Sequence, residues 1–300
     1  MSKSNMPLTG RRTLHGLLLI AVLSLLAACS SLRLAYNNGD TLLYWWIDGY
    51  VDLNSDQKDW VKKDIDELFR WHRKTQLRDY VQILQTAQRQ LAAGPTAADL
   101  HNDYDEIKNR TELLLFKALP ELADLARSLQ PDQIATLERK FAANNAEFRK
   151  KNMRGDKEAQ QKFRYQKSME QFELWFGNFT REQEAQIRKA SDARPLDNEL
   201  WLDERQRRQK MILAAVRKVQ QDKLSKDATI ALLHTLVKDS FDRMEQPSER
   251  KAFFDAAEEG NVQLILTVIQ LATPAQKAHA HKRMQGWIDD FKQLAAEPQR

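Results

Sequence analysis

The chain is predicted to be all-α, and three observations support this fold class. Its 300 residues include only nine glycines and eight prolines, the two residues that interrupt helices most strongly. Helix-favouring Leu, Ala, Gln, Glu, Lys and Arg dominate the composition. No segment keeps the apolar–polar alternation of a half-buried strand, whereas apolar residues recur at helical spacing. We therefore expect an elongated multi-helix domain.

The clearest amphipathic segment spans about 55–92, where Val61, Ile65 and Leu68 share one stripe. Gly94-Pro95 ends it, and a second helix is predicted from Thr96, with Pro120 as a kink or break. The apolar stripe of that second helix comprises Leu100, Tyr104, Ile107, Leu114 and Leu115. Further helices are predicted over about 131–152, 156–176, 181–192, 198–223, 227–244, 248–272 and 274–295, and 149–155 is the best candidate for an exposed joint.

The first 29 residues have the three parts of a secretory signal. Basic residues (Lys3, Arg11 and Arg12) precede an apolar run over 14–26, and small residues precede Cys29. The run is too short to span a bilayer, which needs about 20 apolar residues. The sequence Leu26-Ala27-Ala28-Cys29 resembles the cleavage motif of bacterial lipoprotein precursors.

This resemblance implies cleavage before Cys29, a diacylglycerol on its sulfur and an acyl chain on its amino group. Ser30 stands where an aspartate commonly signals retention in the inner membrane of such lipoproteins. The resemblance therefore implies the periplasmic face of the outer membrane, with membrane lipid as the first partner. We divide the chain into a signal peptide (1–28), a lipid anchor with an aromatic-rich tether (29–52) and an all-α periplasmic domain (53–300).

Charge and cysteine content exclude several classes of function. Cys29 is the only cysteine, so the mature chain has no internal disulfide and no cysteine-based zinc site. The formal net charge is +5, and removing the three basic residues of the signal leaves 44 basic against 42 acidic residues, or +2. We therefore expect no nucleic-acid partner.

An aromatic cluster, Tyr44-Trp45-Trp46, follows shortly after the predicted anchor. Tyr and Trp favour membrane–water interfaces because their rings are apolar with a polar handle, so these three residues are candidates for membrane contact. Alternatively, a stripe at helical spacing packs a short helix onto the main domain, which we favour. The members of that stripe are Leu43, Trp46, Ile47 and Tyr50.

One short frame recurs four times: an apolar residue, a candidate N-cap, and a glutamine three residues after the cap. The frames begin at Leu53, Leu129, Phe179 and Ala272 and lie 76, 50 and 93 residues apart, so they define no solenoid period. Helix capping explains them, because the cap accepts a free backbone N–H and the glutamine reaches back to the cap. The frames also resemble the Leu-Thr-x-x-Gln motif of small all-α periplasmic stress chaperones, although no copy is strict.

Motifs for catalysis or for cofactor and metal binding are absent from the sequence. It contains no His-Glu-x-x-His, Gly-x-Ser-x-Gly, Gly-x-Gly-x-x-Gly or P-loop. His101 and Asp105 share a helical face but are only two ligands, and His72 is expected to be a satisfied buried or boundary histidine. Lytic transglycosylases commonly carry their acid in a Glu-Ser dipeptide, which the chain lacks. We predict that the protein is not an enzyme and takes no cofactor.

As a whole, the chain resembles an uncharacterised family of proteobacterial lipoproteins defined only as a domain of unknown function. Two stretches carry the resemblance: 29–38, and 42–48 running into Leu53-Asn54. The resemblance implies no activity and no functional residue other than the lipid-bearing Cys29. We predict a non-enzymatic binding or scaffolding module, with envelope proteins or peptidoglycan as candidate partners. A periplasmic chaperone-like protein and a peptidoglycan-active enzyme are the alternatives.

Overall fold

The computed structural model describes residues 32–241 and 249–297, so Cys29 and the predicted signal peptide lie outside it. The described residues form helices and connecting turns, with no strand among them, which confirms the predicted fold class. The helices are α1 (Gly39–Val51), α2 (Ser55–Thr75), α3 (Leu77–Ala93), α4 (Ala97–Lys117), α5 (Leu119–Ser128), α6 (Pro131–Asn152), α7 (Lys157–Phe176), α8 (Arg181–Ala193), α9 (Asn198–Gln221), α10 (Lys226–Phe241), α11 (Glu249–Leu271) and α12 (Pro274–Ala296).

Two predictions about these helices were wrong. The segment 55–92 is two helices, because the chain turns at Gln76 and so places Leu77 in the core with no exposed surface. The predicted apolar stripe of α4 is not buried: no residue of this helix is, and Tyr104 and Ile107 are 39% and 56% exposed. By contrast, Pro120 falls in the first turn of α5, directly after the expected break.

The four repeated frames form capping interactions, and they also meet in pairs. Gln57 Nε2 donates to Gln133 Oε1 (3.2 Å) and Gln133 Nε2 donates to Gln57 Oε1 (2.7 Å). Gln183 and Gln276 exchange the same two hydrogen bonds, at 2.9 and 3.3 Å. We call these pairs the first and second glutamine clasps. Each clasp joins the N-termini of two helices, α2 with α6 and α8 with α12.

The two clasps have the same hydrogen-bond pattern. Each glutamine Oε1 also accepts the backbone N–H of the cap three residues earlier, at 2.8–3.0 Å. Each Nε2 also donates to the backbone carbonyl directly before the partner's frame. These carbonyls belong to Ser128, Asp52, Leu271 and Asn178. The buried amides are therefore fully satisfied, which makes the clasps stabilising rather than costly.

The helices form a first series, α1–α6, and a second series, α7–α12, and each series contains one clasp. Helices at the same place in the two series make corresponding packing contacts. In each series the first helix packs on the sixth. Between the series, α3 packs on α12 as α9 packs on α6, and α5 packs on α10 as α11 packs on α4. Residues 153–156, which overlap the predicted joint at 149–155, connect the two series. The fold is thus an approximate structural repeat of six helices.

The two main hydrophobic clusters follow this repeat. The first contains Tyr44, Leu53 and Val61, and the second contains their counterparts Met169 on α7, Phe179 in the connection after α7, and Ile187 on α8. The helices preceding the clasps also end alike, on residues with positive φ: Asp52 (54°) and Gly177 (76°). A left-handed residue stops a helix by turning the chain away from its axis. The same local signals therefore position α1 and α7.

Candidate membrane-facing surface

Helix α1 presents one side to the core. Tyr44 and Val51 belong to the first hydrophobic cluster, and Leu43, Ile47 and Tyr50 pack against it. Two polar contacts from neighbouring helices fix these aromatic rings. Lys62 Nζ lies 4.9 Å from the centre of the Tyr44 ring, and Asn144 Nδ2 donates to the Tyr50 hydroxyl at 2.8 Å.

The opposite side of this region is apolar and exposed. Residues 32–37 are also helical, and a turn at Asn38 separates them from α1. Four large side chains form a surface that we call the aromatic face: Leu34 (66% exposed), Leu42 (52%), Trp45 (63%) and Trp46 (59%). Between residues 34 and 49, all of which the structure describes, none of the exposed side chains carries a charge. The exposed residues there are Leu34, Ala35, Asn37, Asn38, Thr41, Leu42, Trp45, Trp46 and Gly49.

The three predicted membrane-contact residues therefore differ in their exposure to solvent. Tyr44 is only 8% exposed and lies in the core, whereas both tryptophans reach the surface. Of the alternative packing stripe, Leu43, Ile47 and Tyr50 pack as expected, and Trp46 instead rests on the edge of the core, its ring centre 4.6 Å from that of Tyr50. Sequence reasoning missed Leu34 and Leu42, whose spacing from Trp45 follows a helical face.

A partly buried hydrogen-bond chain holds the segment before α1 against the body of the protein. The Tyr36 hydroxyl lies 2.8 Å from His72 Nδ1, and the Tyr80 hydroxyl lies 3.2 Å from His72 Nε2. A neutral imidazole has one donor and one acceptor nitrogen, so two hydroxyls satisfy it. Burial lowers the pKa of His72 and raises the pKa of Tyr36 to about 12. The expectation of a satisfied histidine at this position is confirmed.

Charged contacts fix the same segment to α2 and to the C-terminal end of the described chain. Arg33 pairs with Asp290 on α12 at 3.5 Å. Arg73 donates to Asn37 Oδ1 at 2.8 Å and pairs with Glu297 at 3.2 Å. An open cleft of about 320 Å³ lies beside these groups, lined by carboxylates and arginines together with Phe69. Its charges are of both signs, and Arg73 and Glu297 among them pair with each other.

The other sequence candidates do not assemble into a site. His101 pairs with Glu259 at 3.0 Å, and Glu258 lies at 3.8 Å. Across residues 32–241 and 249–297, no group of three or more His, Cys, Asp or Glu residues is arranged to hold a metal ion. Within the same ranges, no helix has the length and apolar character needed to cross a bilayer. The four frame glutamines are buried in the clasps, so their side chains are used within the fold.

Comparison with known protein families gives a match over most of the folded region. The model of a family described as a family of unknown function, DUF6279, matches residues 49–236, more than half of the chain. No curated protein matches the chain, and no solved structure does. The family match begins after the aromatic face and includes the whole of the first glutamine clasp.

Proposed function

Because the chain belongs to the DUF6279 family, whose function is unknown, we propose from its own residues that it is a lipoprotein of the outer membrane, anchored through Cys29 at the periplasmic face. Its all-α domain acts as a non-enzymatic binding or scaffolding module for envelope proteins or peptidoglycan. Membrane lipid, through N-terminal acylation, is its first partner. We also propose that the family is one of proteobacterial lipoproteins.

The observation that carries the proposal is the short distance between Cys29 and the folded body. Leu32, the first described residue, is three residues after Cys29, which corresponds to about 10 Å of extended chain. Tyr36 and Arg33 then attach the following segment to α2 and α12. An acylated Cys29 would therefore hold the domain directly on the leaflet, as suits a module that presents a fixed surface to partners.

The anchor is tested with Cys29→Ala. Cys29 is the only cysteine, so we expect this variant to lose incorporation of labelled fatty acid and to stay unprocessed or leave the membrane fraction. Ser30→Ala is the matched control and should be processed normally. Ser30→Asp should move the protein towards the inner membrane fraction. Normal lipid labelling of the Cys29→Ala variant would overturn the proposal.

The module function is tested by crosslinking the lipidated protein in intact envelopes and identifying the products by mass spectrometry. We expect a small, reproducible set of envelope partners. Turnover of purified peptidoglycan that disappears on changing one acidic residue would instead establish the enzyme alternative. Suppression of client aggregation at near-stoichiometric ratios would favour the chaperone-like alternative.

A further inference from the structure

The surface of α1 can be judged against that of α7, because the two helices occupy corresponding positions. Tyr44 and Met169 are their buried residues in the two main clusters. From 42–50 and 167–175, buried, half-buried and exposed positions follow the same order, except that Asp48 is half-buried and Glu173 exposed. The packing of the fold therefore buries nearly the same positions on both helices.

The exposed residues at these positions differ in chemistry. Where α1 has Leu42, Trp45 and Trp46, α7 has Lys167, Glu170 and Gln171. The Lys167 ammonium pairs with the Glu170 carboxylate at 2.8 Å, with both side chains more than half exposed. The repeat thus places solvated polar groups at these three positions of α7, whereas Leu174, which corresponds to Gly49, is 42% exposed. Folding alone does not require tryptophans on the other copy, so their exposure calls for a partner.

We propose that the aromatic face lies in the interfacial region of the leaflet that holds the acyl chains of Cys29, with the helical residues 32–51 parallel to the membrane. This inference rests on the proposed lipid anchor. The anchor would keep Leu34 within a few residues of the bilayer. The uncharged exposed surface from 34 to 49 avoids the cost of desolvating an ionised group there. Tryptophan and tyrosine are enriched in this region of a membrane.

The parallel orientation follows from length. Leu34 and Trp46 are 12 residues apart, on the two helical segments that meet at the turn at Asn38, and the helical rise places them at most about 18 Å apart along the chain axis. The interfacial layer on each side of a bilayer is roughly 5–8 Å thick. A helix standing upright on the membrane would place only one of these residues in that layer. Both ends of the aromatic face reach it together only if the helix lies flat, as amphipathic interfacial helices do.

The contact is tested on the full lipidated protein in phosphatidylethanolamine–phosphatidylglycerol vesicles that contain lipids brominated near the headgroup. Bromine quenches nearby tryptophan fluorescence, and five tryptophans besides Trp45 and Trp46 supply the background. The test variant carries the residues of α7 (Leu42→Lys, Trp45→Glu and Trp46→Gln). We expect its quenched fraction to fall at least about threefold. The matched control, Lys167→Ala with Glu170→Ala and Gln171→Ala, should keep the wild-type value.

The orientation is tested with spin labels on the same lipidated protein, whose only native sulfhydryl is acylated. Labels are attached through Leu34→Cys and, separately, Gly49→Cys, where an added Cβ meets no atom within 4 Å. A flat helix gives both labels the same immersion depth. An upright helix separates their depths by about 20 Å and would overturn the orientation. A label at Asn109→Cys, exposed on α4, provides the aqueous reference.

Mass spectrometry of the mature N-terminus separates the two proposals. An acylated protein whose tryptophans are quenched no more than those of the test variant would overturn this inference and leave the anchor standing. Crosslinks from residues 42–46 to an envelope protein or to a second copy, without quenching, would have the same consequence. A protein without acyl groups would overturn both.

Discussion

Helices α1 and α7 are built alike on their buried side and differ on their exposed side. Both precede a glutamine clasp, and both end on a residue with positive φ. Yet one exposes Trp45 and Trp46 and the other exposes Glu170 and Gln171. The comparison distinguishes the residues that folding requires from exposed residues that folding does not require. Buried positions are filled by any apolar side chain of suitable size, whereas the exposed positions are free to serve a partner.

The same comparison shows why the two series form one folded unit. In each series, the third and sixth helices pack across to the other series, as α3 does on α12 and α9 on α6. Neither series can bury these faces by itself. We therefore expect both series to unfold in a single transition.

Removing a core side chain from the second series should destabilise the whole protein. Ile187 has no exposed surface, and its counterpart Val61 is 4% exposed. Ile187→Ala should cost about 3–4 kcal/mol through lost burial and the cavity left behind. Val61→Ala removes two carbon atoms instead of three and should cost about 2 kcal/mol. Urea unfolding followed by circular dichroism measures both, and two transitions with only one of them shifted would show that the series are independent.

Breaking either glutamine clasp should have a similar, slightly smaller effect. Gln57 and Gln183 are 2% and 8% exposed, so alanine at either position leaves buried partners unsatisfied and should cost about 2–3 kcal/mol. In a double-mutant cycle, Gln183→Ala and Gln276→Ala should couple by about 1 kcal/mol or more. Gln186→Ala, on the exposed side of α8, is the matched control and should change stability by less than about 0.5 kcal/mol. If alanine substitution destabilised the protein by clearly different amounts in the two clasps, the two clasps would not be energetically equivalent.

Local signals explain how much of this fold the sequence predicts. Pro131 and Pro274 follow their caps directly, and the observed helices begin there as expected. The turn at Gln76 escaped prediction because no glycine or proline marks it. The clasps escaped it for another reason: the caps are local, but each glutamine's partner lies 76 or 93 residues away. Only tertiary packing brings those helix ends together.

The candidate surface was predictable to a similar extent. The tryptophans were visible in the sequence, but which side of α1 is buried depends on contacts from α2 and α6. These contacts bury Tyr44 and leave Trp46 mostly exposed, the reverse of a simple i, i+3, i+4 assignment. The meaning of the exposed residues became clear only from α7, because the repeat is a property of the packing and is weak in the sequence.

His72, on α2 in the first series, should make the free energy of unfolding depend on pH. Burial lowers the pKa of His72 from 6.5, so the unfolded chain takes up the proton first. The free energy of unfolding should therefore fall as the pH drops below about 6.5. His72→Gln should reduce this loss, measured by urea unfolding at pH 7 and pH 5, whereas His279→Gln, on the exposed side of α12, should keep it. An unchanged pH dependence in His72→Gln would show that other groups control it.

Replacing the aromatic face with the residues of α7 should barely change the stability of the fold. Leu42→Lys, Trp45→Glu and Trp46→Gln together replace exposed side chains with those that the same fold already carries on α7. The stability is measured without detergent on the Cys29→Ala chain, which carries no acyl groups. If the aromatic face serves a partner and not the fold, the free energy of unfolding of this chain should change by less than about 0.5 kcal/mol. Solubility should rise, because an exposed apolar surface is removed. A loss of 2 kcal/mol or more would show that Trp46, through its contact with Tyr50, belongs to the core after all, and the comparison with α7 would then no longer isolate a binding surface.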